Sequence, residues 1–230
     1  MAETIQASFG IIFNSFEELE LTKLAKCRRH FPILIFTVDP FHKLFVASSS
    51  SLLPQDRSCI SWLDKQEKLK PVLYMSFRSL LIVSEAQFLK IAWGLVNSGQ
   101  PFLWVVLLGT ICGLEWLEAL LGGFLDGRGH IVKWALQHEV LVHPVVGGIW
   151  THTKWNLTLK RVNSRYISNE WRVGLHLEYK VERRDIKDAI RRLMVSYDGE
   201  EMREKMKAFE EEGGRVSPRL VVLHTSLFRN

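Results

Sequence analysis

The chain has 230 residues, 47% of them hydrophobic, which is enough for one large domain or for a domain with a fragment of a second. Its formal net charge is +5, but the basic residues do not gather into a stripe: in "KVERRDIKDAIRRLM" they alternate with Glu182, Asp185 and Asp188, the pattern of a solvated helix face. No groove-reading motif accompanies the charge, so nucleic acid is not indicated as a partner. Cys27, Cys59 and Cys112 are far apart and lack CxxC spacing, which argues against a disulfide framework and a zinc site and fits a reducing, cytoplasmic setting.

In chain order, "MAETIQASFGIIFNSFEELE" lacks a basic n-region followed by an apolar h-region and does not read as a signal peptide. Within it "GIIFNSFEELE" reads as a strand entering a helix, and "FPILIFTVDP" as a second strand closed by Pro40. "HKLFVASSSSLLPQDRSCIS" is rich in serine and contains Pro54, which makes it a linker by composition. This divides the chain into 1–41, a linker at 42–70, and a larger domain at 71–230.

The larger domain alternates strands with helices: "KPVLYMSF", "SEAQFLKIAWGLVNSG", "PFLWVV", "HIVKW", "QHEVLVH" and "VVGGIWTH", then a helix from Trp155. Such alternation predicts an α/β fold with a parallel sheet, flanking helices and right-handed crossovers. Ser84 with Gln87 three residues on forms a capping-box pattern, and Gly99 is placed to end that helix. The apolar run "PFLWVVLLGTICGL" is 14 residues long, short of the roughly 20 that a membrane span needs, and reads as a buried strand and loop. His143 in "LVHP" reads as a structural cap near a helix end. "VGLHLE" reads as a further strand, two charged helices are expected near 181–195 and 199–212, and the remaining tail is read as loose.

In an open parallel sheet, ligands bind outside the carboxyl ends of the strands. That selects Ser76 to Ser79, Trp134 to Gln137 and Thr151 to Asn156 as site loops. The last joins a buried strand through His152 to a new helix bearing Lys154, an arrangement suited to phosphate because the first helical N–H groups are unpaired. A lone histidine at such a place is as readily structural as a ligand, and isolated tryptophans such as Trp134 and Trp155 are more often core residues.

"HIVKWALQHEVLVHPVVGGIWTHTKWNLTLK" closely resembles the nucleotide-sugar signature of plant UDP-dependent glycosyltransferases. "GIIFNSFEELE", "SSSSLLPQDRSCISWLDKQ", "AWGLVNSGQPFLWVV", "GRGHIVKWA" and "RRLM…GEEMRE" resemble matching stretches of the branch that glucosylates small hydrophobic plant secondary metabolites and hormones. The resemblance implies a GT-B arrangement of two Rossmann-like domains. Residues 71–230 would be the C-terminal, UDP-sugar-binding one, and 1–41 a remnant of the N-terminal acceptor domain.

By the same resemblance Trp134 matches the tryptophan that stacks on uracil, Ala135 the residue whose backbone reads the base edge, and Gln137 the glutamine at the ribose. His152 matches the diphosphate-binding histidine, Trp155 and Asn156 the helix start that holds the phosphates, and Ser79 a phosphate-side position. UDP-sugar is the implied donor substrate and a small hydroxylated molecule the acceptor in intact relatives; no cofactor or metal is implied.

Several matches fail. Leu157 stands for a phosphate-binding serine, Lys154 and Arg78 for glycines, and Lys160 for the glutamate that holds ribose hydroxyls, although lysine can donate but not accept. "TLK" runs directly into "RVNSRY", skipping the strand and the Asp-Gln pair that grips the sugar. The family's catalytic histidine and its aspartate have no counterpart here, so no catalytic residue is assigned. Three readings follow: a transferase by descent, a non-catalytic chain that binds UDP or UDP-sugar, and a remnant with no ligand or a chain acting only through contacts with another protein. The skipped strand carries a structural expectation too. The helix from Trp155 should fuse with that around Tyr166 into about 16 residues, near 24 Å, and the next strand must pair elsewhere or leave a gap.

Overall fold

The computed structural model describes residues 9–14, 17–38, 57–67, 70–77, 84–106, 127–151, 166–177, 182–211 and 221–225. The chain divides into two compact units, Met1–Leu52 with Glu211–Arg215, and Leu53–Glu210 with Val216–Asn230.

In the smaller unit, strand β1 (Gly10–Asn14) and strand β2 (Leu34–Val38) pair in parallel, joined through helix α1 (Glu17–His30). Ile12 is registered with Phe36 and Gly10 with Leu34, so Ile12, Leu34 and Phe36 share one face, and all three are exposed. Leu24 of α1 is buried. A parallel pair covered on one face only is an incomplete layer, since parallel strands ordinarily bury both faces.

The larger unit is a six-stranded, wholly parallel sheet. Its elements in chain order are α2 (Ser58–Leu63), β3 (Val72–Ser76), α3 (Glu85–Ser98), β4 (Phe102–Val105), β5 (Gly129–Val132), α4 (Gln137–Val142), β6 (Val146–Thr151), β7 (Gly174–Leu177), α5 (Arg183–Met194), α6 (Tyr197–Glu211) and β8 (Val221–Thr225). The order across the sheet is β5-β4-β3-β6-β8-β7. The parallel sheet expected between residues 71 and 152 is thus observed, as are the Ser84 capping box and the left-handed Gly99 that stops α3.

Alternation along β3 shows how the sheet is buried twice over. Leu73, Met75 and Phe77 join a core with Phe88, Ile91 and Leu95 of α3 and Ile186, Ile190 and Leu193 of α5. Val72 and Tyr74 point the other way, into a core with Cys59 and Leu63 of α2, Ala135, and Val140 of α4. Such strands read as continuous apolar runs rather than as an alternating pattern.

Two parts depart from the sequence reading. Part of the tail expected to be loose is ordered: residues 221–225 form β8 in the interior of the sheet, and Val221 and Leu223 are fully buried. The strand "VGLHLE", now β7, pairs with β8 and not with β6, so no gap is left. Part of the serine-rich stretch is also folded, since Ser58–Leu63 is helical with Cys59 and Leu63 buried. Of the expected fused helix, 152–165 lie outside the described residues; Tyr166–Glu170 is a single π-helical turn.

Gly94 sets the approach of α3 to α5, because a Cβ there would lie 2.5 Å from Cγ2 of Ile186. Substituting Gly94→Leu should therefore overpack this contact and cost about 2 kcal/mol. Urea unfolding followed by tryptophan fluorescence would show it as a lower midpoint with an unchanged slope.

Candidate functional site

The strand order reverses between β3 and β6: β4 and β5 extend the sheet from β3, while β8 and β7 extend it from β6. In a doubly wound sheet that reversal opens a crevice outside the carboxyl ends of the two central strands. Ser76 and Thr151, the last residues of β3 and β6, are registered partners at that edge. Ser79 and His152 follow these strands in sequence. Both lie outside the described residues, as do Arg78, Lys154, Trp155, Asn156, Leu157 and Lys160.

The loop after β5 is described in full. Trp134 is partly buried, and its indole Nε1 is enclosed with no hydrogen-bond partner. Ala135 is buried against Cys59, Leu63, Val132 and Val140. Gln137, at the start of α4, is exposed. The three residues therefore have three environments: an aromatic ring half in the core, a small anchoring side chain, and a free amide at the surface.

Helix α2 and its flanks brace this loop through contacts that the compositional reading of 42–70 did not reveal. The Trp62 ring stacks on His130 of β5 with centroids 5.5 Å apart, and Ser58 Oγ lies 3.3 Å from His130 Nε2. Arg57 Nη2 donates to Glu139 of α4 at 3.0 Å. His143 does act as a structural cap: its Nδ1 accepts from the Val145 N–H at 3.4 Å. That leaves the proton on Nε2, which donates to Asp64 Oδ1 at 3.1 Å, so the neutral tautomer satisfies both contacts. Cys59 and Leu63, four apart on the buried face of α2, were the signal for this helix within a serine-rich stretch.

On the other side of β3, Phe77 meets Trp150 of β6 edge to face at 5.5 Å. The Trp150 Nε1 is buried without a partner. Among the described residues no cluster of His, Cys, Asp or Glu could hold a metal ion, and no helix is long and apolar enough to cross a membrane.

Residues 56–164 match the protein-family model described as "UDP-glucoronosyl and UDP-glucosyl transferase". The chain is 48% identical to UDP-glycosyltransferase 76B1 of Arabidopsis thaliana, over 91% of this chain and 51% of that protein. It is 44% identical to UDP-glycosyltransferase 76G1 of Stevia rebaudiana, over 92% and 50%. The chain belongs to the plant UDP-dependent glycosyltransferase family. Its fold is the corresponding half of a GT-B structure. It superposes on Phytolacca americana UGT2, solved with UDP-2-fluoro-glucose and pterostilbene, with a TM-score of 0.73 at 27% identity, covering 93% of this chain and 50% of that one. For Medicago truncatula UGT71G1, solved with UDP-glucose, the TM-score is 0.71 at 27% identity, over 93% and 51%. The chain thus spans about half the length of the glycosyltransferases it matches.

Tyr74, on the β3 face that carries Ala135, offers a check on this packing. Burial pushes its phenol from the ordinary value near 10 up to about 12, against the smaller opposing effect of a hydrogen bond with Ser76. The folded state thus favours the neutral form. The stabilisation is present below pH 10 and is lost as the pH rises from 10 towards 12; two units correspond to about 2–3 kcal/mol. Alkaline unfolding curves should steepen in that window, and Tyr74→Phe should flatten them.

Proposed function

We propose that this chain binds UDP or a UDP-sugar at the carboxyl edge of the larger unit, and that it transfers no sugar by itself. The observation that carries the reading is the reversal of strand order between β3 and β6, which sets the strands preceding Ser79 and His152 side by side. Trp134 is the base platform in this reading, its position fixed by a half-buried ring and by the anchored Ala135 beside it. Gln137 reaches the ribose, and His152, Trp155 and Asn156 hold the diphosphate. Support comes from relatives named UDP-glycosyltransferases and from neighbours solved with UDP-glucose or its 2-fluoro analogue.

The reading that turnover is absent rests on particular residues. Leu157 offers no hydrogen bond to a phosphate, and Lys160 cannot accept from two ribose hydroxyls. No Asp-Gln pair follows "TLK" to grip the sugar. No histidine in this chain stands in the context of the family's general base, and such a base contributes roughly 10²- to 10⁴-fold only when it is within hydrogen-bond reach of the acceptor hydroxyl.

UDP at 100 times its dissociation constant should add about 2.7 kcal/mol, which is about 5–10 °C in the thermal midpoint. Trp134→Ala should weaken UDP at least about fivefold in titration calorimetry, because base stacking is worth about 1–3 kcal/mol. Equal affinities in the two proteins would place the nucleotide elsewhere.

Turnover is tested separately. Incubation with UDP-glucose and a panel of phenolic and terpenoid alcohols should give no glucoside above the enzyme-free control by mass spectrometry. The combined replacements Lys154→Gly, Leu157→Ser and Lys160→Glu should tighten UDP without creating turnover. A glucoside that disappears in His152→Ala would refute the non-catalytic reading.

A further inference from the structure

The sheet position between β6 and β7 is filled by the element that follows all the others in sequence. β8 is registered on one side with β6 (Gly148 with Val221, Ile149 with Val222, Trp150 with Leu223) and on the other with β7 (Gly174 with Val222, Leu175 with Leu223). Val221 and Leu223 are fully buried in the core that holds Trp150, Leu177 and Met194, while Val222, between them, is partly exposed. The Val222 N–H donates to the Val173 carbonyl at 3.2 Å. On the β7 side the neighbour is Gly174, where any Cβ would run into the Val222 carbonyl oxygen. Among the described residues β7 has no other strand partner, so its place in the sheet depends on β8.

We propose that this position is a strand-binding slot whose occupant, residues 221–225, is held as a docked peptide is held, so that the same segment supplied as a separate molecule takes its place. Main-chain pairing on both sides gives the affinity, and the two buried side chains at alternate positions give the selectivity, the pattern by which sheets accept extended peptides. The family resemblance implies a strand after "TLK" that this chain skips, and the slot lies directly beside β6, the strand that leads into that stretch. A segment from elsewhere in the chain completes the sheet. The inference concerns the sheet alone and is independent of nucleotide binding.

The test uses full-length protein with Val222→Pro, which removes the N–H that Val173 accepts and places proline in an interior strand, and with the milder Val222→Gly. Each is refolded from denaturant with and without a synthetic peptide of residues 216–230. A control peptide carries Val222→Pro and Leu223→Asp. Soluble yield and thermal midpoint are read in every arm. The expected result is that the proline variant falls at least about 5 °C below the wild type, or fails to refold, and the glycine variant falls less. The wild-type peptide restores midpoint or yield in both variants, the control peptide in neither. Midpoints equal to wild type in both variants would show that 221–225 is not an interior strand. Loss in either variant with no gain from the wild-type peptide would show that the slot takes no strand in trans. Each of these two results overturns the proposal.

Discussion

The larger unit depends on the pairing of β3 with β6. These strands lie at the centre of the sheet, each is paired on both sides, and helices cover both of their faces. Two consecutive glycines in β6 let its neighbours come close. A Cβ on Gly147 would lie 2.5 Å from Cβ of Pro71, and one on Gly148 would lie 2.6 Å from Sδ of Met194. Gly148 thus admits Met194 at the end of α5, and Gly147, where the pairing of β6 with β3 shifts register, admits Pro71 just before β3. From this pair follow the reversal of strand order and the crevice at Ser76 and Thr151.

Most of the architecture was legible because its signals are local. Apolar runs such as "PVLYM" and "VVGGIW" carry the signature of strands buried on both faces, and Ser84, Gln87 and Gly99 mark the ends of α3 by known capping chemistry. β8 was not legible for the opposite reason. "VVLHT" is a short apolar run like many others, and its place is decided by partners at Gly148 and Gly174, remote in sequence. Helix α2 was masked by its neighbours: four serines and Pro54 dominate the composition, while only Cys59 and Leu63 report a buried face. At the site, the residue roles came from resemblance and not from spacing. The sequence pointed to Trp134, but not to the Trp62–His130 stack and the His143–Asp64 contact that brace its loop.

Binding a nucleotide and transferring its sugar make different demands on the same edge. Base and diphosphate are held by an aromatic face, a few N–H groups and positive charge, and Lys154 and Lys160 do not oppose that charge requirement. Transfer also requires paired acceptors on the sugar hydroxyls and a base placed against the acceptor, within a narrow distance range. In the proposed reading Leu157 and Lys160 weaken the hold on the phosphates and the ribose, whereas the missing Asp-Gln pair after "TLK" bears on the sugar that would be transferred. The smaller unit adds a parallel pair with one bare apolar face, a layer that buries less than such strands ordinarily do.

The place of β8 also fixes an order of events during synthesis. Residues 72–151 supply four adjacent strands and can pair as soon as they leave the ribosome. β7 emerges before the strand it must join, and two helices are made between them. Until residues 221–225 appear, the outer edge of β6 and both edges of β7 remain open to pairing with other chains. The sheet is thus closed by its most distant contacts, whose loop-closure entropy is met only after nearly all of this sequence has been translated. The interval in which a nascent chain is exposed to misassembly is set by the time needed to translate the two charged helices.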